Sequence, residues 1–196
     1  MARLYLITDR RACGSRSLAN VIGDALAAIP PGAAWVQLRE KDLDGAALLS
    51  LASELVKIVR ARNGKLFVNE RIDVALAAGA DGVHLPERGF DLATARALAP
   101  ELAMGVSTHD SDRARAMLHA GAAPVLYGPV WSTPSKPEPL GLDGMPAGVF
   151  AVGGITNPDR ARQARAAGAR GVACIRAIMA AEDPGAAARA MIEALA

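Results

Sequence analysis

Apolar runs of strand length alternate with alanine-rich segments of helical period from one end of this chain to the other, and no other feature limits the fold as much. Eight runs qualify, at residues 4–8, 34–38, 66–69, 82–85, 102–106, 125–128, 149–152 and 171–175. Between them, residues 45–62 place Leu48, Leu51, Leu55 and Val59 at three- and four-residue steps, and residues 17–29 and 112–120 read the same way. Strands that are apolar on both faces need cover on both sides, which parallel βα units supply. Eight such units predict an α/β fold, a single (β/α)8 TIM barrel in which residues 1–196 form one domain.

The unit after the sixth strand breaks the pattern. Pro129, Pro134, Pro137, Pro139 and Pro146, with Gly141, Gly144 and Gly148, leave only residues 142–144 able to start a helix. A long loop is therefore expected there, with helix six truncated or missing. Part of the barrel wall would then lie uncovered, and a subunit partner is expected to cover it in a homo-oligomer.

Composition excludes several classes of function. The formal net charge is +2 and no Lys/Arg block forms a nucleic-acid arm; four arginines from Arg160 to Arg170 interleave with alanines as a solvated helix face. Cys13 and Cys174 stand alone, without metal-type spacing, as suits a reduced compartment. The first apolar run meets Asp9-Arg10-Arg11 too early for a signal peptide. No run approaches the ~18–20 apolar residues that span a bilayer. A cytoplasmic protein with no nucleic-acid or membrane partner is expected.

In barrels of this kind the C-terminal ends of the strands carry the chemistry, so the polar residues ending each run are the candidates. Arg39 and Lys41 leave the second run two residues apart and project to the same side. Arg grips phosphate oxygens bidentately and Lys supplies a point charge, so an anionic ligand is expected. Val152-Gly153-Gly154-Ile155 precedes a helix start, Thr156-Asn157-Pro158-Asp159. Glycines admit a close ligand and free helix amides attract anions, so a phosphate is expected between the loops after strands seven and eight, near Arg176. The proline-stiffened loop offers Ser132, Thr133, Ser135 and Lys136 over the barrel mouth. His109, after Ser107, is the histidine best placed for proton transfer. His84 reads as a hydrogen-bonded barrel residue and His119 as a solvated one. Asn69 ends strand three, where an amide suits a phosphate or a heterocycle.

At these residues the sequence resembles the superfamily shared by thiamine phosphate synthase and thiazole tautomerase. The resemblance rests on Tyr5-Leu6-Ile7-Thr8-Asp9, Gln37-Leu38-Arg39-Glu40-Lys41, Asn69-Glu70-Arg71, Ala80-Asp81-Gly82-Val83-His84-Leu85, Gly105-Val106-Ser107-Thr108-His109, Gly128-Pro129-Val130, Thr133-Pro134-Ser135-Lys136 and Val152-Gly153-Gly154-Ile155. It implies a (β/α)8 barrel that binds a thiazole phosphate, usually as a homo-oligomer. Synthases of this family join hydroxymethylpyrimidine diphosphate to thiazole phosphate with Mg2+, releasing diphosphate. In them, residues matching Arg39, Lys41, Asn69, Ser107 and Lys136 contact the diphosphate. The family's first metal carboxylate falls at Glu70, usually Asp, and its second at Gly89, which has none. Arg176 stands where the family usually has Ser beside the phosphate.

Mg2+ demands oxygen ligands in near-octahedral geometry, so losing a carboxylate at Gly89 should weaken diphosphate activation. Tautomerases resemble the synthase fold but lack the metal carboxylates. They aromatise a carboxythiazole phosphate by moving a proton, with a histidine equivalent to His109 as acid/base. The resemblance thus favours a thiazole tautomerase without cofactor over a synthase. Its phosphate would dock on Gly153, Gly154 and the amides near Arg176, Thr133, Ser135 and Lys136 would close over it, and His109 would shuttle the proton. The alternative is a synthase in which Glu70, with Glu87, holds Mg2+ while Arg39 and Lys41 neutralise the leaving diphosphate. A further alternative is a non-catalytic barrel that binds or senses a phosphorylated ligand.

Overall fold

The computed structural model describes residues 2–134 and 136–196. Its strands are β1 (Leu4–Ile7), β2 (Ala34–Leu38), β3 (Leu66–Asn69), β4 (Gly82–Leu85), β5 (Ala103–Thr108), β6 (Val125–Tyr127), β7 (Phe150–Val152) and β8 (Gly171–Cys174). All are parallel and follow one another in sequence order around a closed barrel. The ring closes where β8 meets β1, with Leu4 opposite Val172. Helices α1 (Leu18–Ala27), α2 (Gly45–Arg60), α3 (Ile72–Ala78), α4 (Leu92–Leu98), α5 (Ser111–His119), α6 (Pro158–Ala166), α7 (Arg176–Met179) and α8 (Pro184–Ala194) connect the strands and follow the last one. The fold is the eight-stranded α/β barrel that the alternation of runs predicts.

Local chemistry sets the helix starts. Asp44, Asp91, Asp110, Asn157 and Asp183 each precede a helix and accept the backbone N–H three residues on. Each such cap is worth about 1 kcal/mol. Pro158 and Pro184 sit at first helical positions, where their missing N–H costs nothing. β5 extends to Thr108, past the expected end at residue 106. Its last residues pair with Leu126 and Tyr127, and the Thr108 hydroxyl donates to Leu126 O at 3.0 Å, so these polar residues belong to the sheet.

Among the described residues no helix lies between β6 and β7, and residues 142–144 form only bends and turns. The wall there is not left bare, which corrects the expectation from sequence. Val130 and Met145 of the connecting segment are buried in the outer core, and Trp131 and Leu142 pack against it. Among the described residues no helix is long and apolar enough to cross a membrane.

A second, smaller core fills the barrel: Tyr5, Ile7, Phe67, Leu126, Phe150 and Ala173. The Tyr5 ring lies 5.9 Å from both Phe67 and Phe150, and Trp35 lies 5.7 Å from Phe67. At the N-terminal end, Arg170 and Lys65 cover the face of Trp35 at 5.2 and 5.6 Å. Tilted and edge-on rings capped by cations thus plug the floor of the barrel.

Candidate active site

The site is built at the opposite end, where the strands terminate. Just past the ends of β2 and β1, the Arg39 N–H donates to the Thr8 hydroxyl at 2.9 Å. From there the chain alternates cation and anion, and the structure sorts them. Glu40 is buried and accepts the Arg10 backbone N–H at 3.0 Å and its guanidinium at 3.1 Å. Asp42 takes Arg10 in a two-pronged pair at 2.6 Å on each prong, and Arg11 at 2.7 Å. This pairing holds the Asp42 carboxyl far below the usual carboxylate range. Glu40 and Asp42 are therefore spent on the β1 loop and do not neutralise their neighbours. The Arg39 side chain is exposed and has no hydrogen-bond or ion-pair partner among the described residues.

Lys41 does have a partner, Glu70, at 3.2 Å. Glu70 follows β3 in a left-handed conformation, φ 62°, which a side-chain-bearing residue adopts at a cost of about 1 kcal/mol. That turn brings its carboxylate to Lys41 and to Asn69, whose amide donates to it at 2.8 Å. Asn69 in turn accepts the Gln37 amide at 2.8 Å. Gln37 is 2% exposed, and its carbonyl oxygen is buried with no partner. Such an atom is costly to leave unmet. Gln37 carries no role in the sequence reading; a glutamine inside an otherwise apolar strand is the signal that could have revealed it. Two cavities flank Glu70. One, of about 370 Å3, is lined by Glu70, Leu85, Pro86, Gly89 and Phe90; the other, of about 330 Å3, includes Leu38, Lys41 and Asn69.

The two-carboxylate Mg2+ site does not fit these residues. Glu70 is engaged by Lys41 and Asn69, and Gly89 brings no carboxylate. Asp91 caps α4 through the Thr94 N–H at 2.8 Å, and Glu87 faces His109 and Arg113. Among the described residues no group of three or more His, Cys, Asp and Glu could hold a metal.

Inside the mouth, His84 is 1% exposed, with Nδ1 3.2 Å from the Tyr5 hydroxyl and Nε2 2.9 Å from the Ser107 hydroxyl. It is the hydrogen-bonded barrel residue the sequence suggests. Burial, aided by the charge of Arg39, lowers its pKa to about 3. A histidine in the unfolded chain titrates near ~6.5. Between those values the unfolded chain takes up a proton that the folded one refuses, so this contribution to stability is complete above about pH 6.5 and falls as the pH drops through the window. Urea unfolding at pH 5 should show about 2 kcal/mol less stability than at pH 7. A His84→Gln variant should lose much of that dependence, and an unchanged slope would refute the assignment.

His109 lies just past β5. Its Nδ1 meets Gly128 O, and its Nε2 meets the Lys136 ammonium. Glu87 accepts the His109 backbone N–H at 3.3 Å and lies 3.7 Å from Nε2. Lys136 can only donate, so this pairing suits the imidazole with its proton on Nδ1. Thr133 and Lys136 pair in a tight antiparallel turn, the Lys136 N–H reaching the Thr133 hydroxyl at 3.1 Å. Ser135 lies outside the described residues.

Gly153 and Gly154 have φ 96° and 67°. A Cβ on them would lie 2.5 Å from Pro129 Cβ and 2.6 Å from Trp131 Cβ. What they admit is thus the loop after β6, which the sequence reading did not foresee. Val130 N donates to Val152 O at 2.9 Å and Trp131 N to Gly153 O at 3.2 Å, while Arg160 lies 5.2 Å over the Trp131 ring. The carbonyls are used; the amides of Gly153 and Gly154 meet no acceptor among the described residues. Arg176 opens the short α7, its side chain exposed and without a partner among the described residues. The structure thus gathers the expected residues into three groups: Lys41 with Asn69 and Glu70, His109 with Lys136, and the glycine pair on the segment between β7 and α6.

The whole chain has well-matched relatives. A family model described as Thiamine monophosphate synthase matches residues 4–178. A putative thiamine-phosphate synthase of Geobacter sulfurreducens is 45% identical, covering 98% of this chain and 93% of its own. The thiamine-phosphate synthase of Roseiflexus castenholzii is 39% identical, covering 97% and 86%. The solved thiamine phosphate pyrophosphorylase of Pyrococcus furiosus superposes with a TM-score of 0.86 at 32% identity, covering 98% of this chain and 95% of that one. These relatives overturn the preference for a tautomerase over a synthase. That preference gave one missing carboxylate too much weight against a cationic rim that remains in place.

Proposed function

The chain belongs to the thiamine monophosphate synthase family, and from that premise we propose that it couples hydroxymethylpyrimidine diphosphate to thiazole phosphate and releases diphosphate. The observation that carries this reading is Arg39: a guanidinium at the barrel mouth whose two neighbouring carboxylates are taken up by Arg10 and Arg11. An anion with several oxygens is the chemistry that suits such a group. The pyrimidine ring enters above the barrel core and offers an N–H to the orphaned Gln37 oxygen. Its diphosphate meets Arg39, Lys41, Lys136, the Asn69 amide and the Ser107 hydroxyl. The thiazole phosphate docks against the Gly153 and Gly154 amides and Arg176.

In the reaction the bond from the pyrimidine methylene to the diphosphate oxygen breaks, and the oxygen keeps the electron pair. The thiazole nitrogen gives its lone pair to the methylene carbon and becomes quaternary. Negative charge grows on the diphosphate as this happens, and fixed cations aimed at it stabilise the transition state. No proton leaves or arrives, so His109 is not needed as an acid or base. Its contact with the Lys136 ammonium gives it the task of aiming that cation.

The test is to incubate the protein with both substrates, in buffer containing Mg2+, and to measure both products. Thiamine phosphate and diphosphate should appear one for one. Absence of thiamine phosphate, with the folded state verified, would overturn the reading.

A further inference from the structure

We propose that Tyr5 and His84 form a buried relay that fixes Ser107 as a hydrogen-bond donor toward the diphosphate. The identity of that acceptor rests on the synthase reading; the relay itself rests on geometry.

Tyr5 is fully buried in β1, wedged between Phe67 and Phe150. Its hydroxyl has one hydrogen-bond partner among the described residues, His84 Nδ1. The imidazole has little freedom to turn, because it lies against the backbone of β5: a Cβ at Gly105 would stand 2.7 Å from Nδ1. The other ring nitrogen faces Ser107, partly exposed near the end of β5.

Two proton arrangements satisfy these distances. In one, Nδ1 carries the proton and donates to the Tyr5 oxygen. The Tyr5 O–H is then left in a sealed apolar barrel with no acceptor, and Ser107 turns its own proton inward to Nε2. In the other, Tyr5 donates to Nδ1, Nε2–H donates to Ser107, and no buried donor is orphaned. Unmet buried donors are rare and costly, which selects the second arrangement. A doubly protonated ring is excluded by the same burial that holds the His84 pKa near 3.

The consequence falls on Ser107. One lone pair of its oxygen takes the His84 proton, so its own proton points away from the ring, to the mouth. Ser107 then presents its O–H to ligands that accept hydrogen bonds, such as diphosphate oxygens. Tyr5 and His84 are positioning residues, since neither needs to touch the substrate.

The experiment begins with nitrogen-15 NMR of the histidine side chains in the intact protein at pH 7. His84 should carry its proton on Nε2; a proton on Nδ1 overturns the relay. Inorganic pyrophosphate binding is then measured by calorimetry on the native protein, Tyr5→Phe, Ser107→Ala and the double variant. Tyr5→Phe should weaken binding about three- to tenfold and give a His84 signal that averages both tautomers. The double variant should bind no worse than Ser107→Ala; losses that simply multiply overturn action through Ser107. If the native protein does not bind pyrophosphate, the synthase reading fails, while the His84 tautomer still decides the relay.

Discussion

Replacing Arg39 by alanine should lower kcat/KM for the coupling reaction about a hundred- to a thousandfold while leaving the folded state almost untouched. The size follows from removing one pre-aimed donor to charge that grows in the transition state. The selectivity follows from the structure: the side chain is exposed, and among the described residues it has no ion-pair or hydrogen-bond partner to lose. Only its backbone N–H is tied down, to Thr8, and alanine keeps that bond. Arg39→Lys should recover part of the loss, because a point charge replaces the field but not the two-pronged grip. Steady-state kinetics and a thermal melt decide the matter. A loss below about threefold, or a comparable loss of melting temperature, would remove Arg39 from the proposed machinery.

Gly171→Ala should be the most damaging small change to stability. Gly171 opens β8, beside the seam where the barrel closes, and a Cβ there would stand 1.9 Å from Arg3 O and 2.6 Å from Arg3 C. Both atoms are backbone, so no rotamer change relieves the clash. The same Arg3 oxygen accepts the Val172 N–H at 3.0 Å, and Leu4 pairs with Val172 directly. Relief requires moving β1 away from β8, which breaks the register that closes the ring. A loss above about 3 kcal/mol is expected, beyond ordinary overpacking. Urea unfolding measures it, and a variant within about 1 kcal/mol of the native protein would contradict the packing described.

The barrel was legible because buried parallel strands have a plain signature. β2, β3 and β4 are apolar runs ended by charge or a turn, and they begin and end where that pattern puts them. β5 was cut short because Ser107 and Thr108 look like a loop; they are polar residues facing a hydrogen-bonding interior and a neighbouring strand. At the site, single strong charges such as Arg39 and Lys41 could be read from one strand end. What could not be read were relations between units. Arg10 clearing Glu40 and Asp42 from the rim, Lys136 meeting His109, and Lys41 claiming Glu70 each join loops that are far apart in sequence. The glycine pair was recognised as a close approach, but the neighbour turned out to be Pro129 and Trp131. The choice of reaction depended on these relations, which is why one substituted carboxylate misdirected it.

The plugged floor has its own bearing on how such a protein would turn over. With Trp35 roofed by Arg170 and Lys65, the barrel is a vessel with a single opening. Both reactants would arrive, and both products depart, through the same ring of cations that steadies the chemistry.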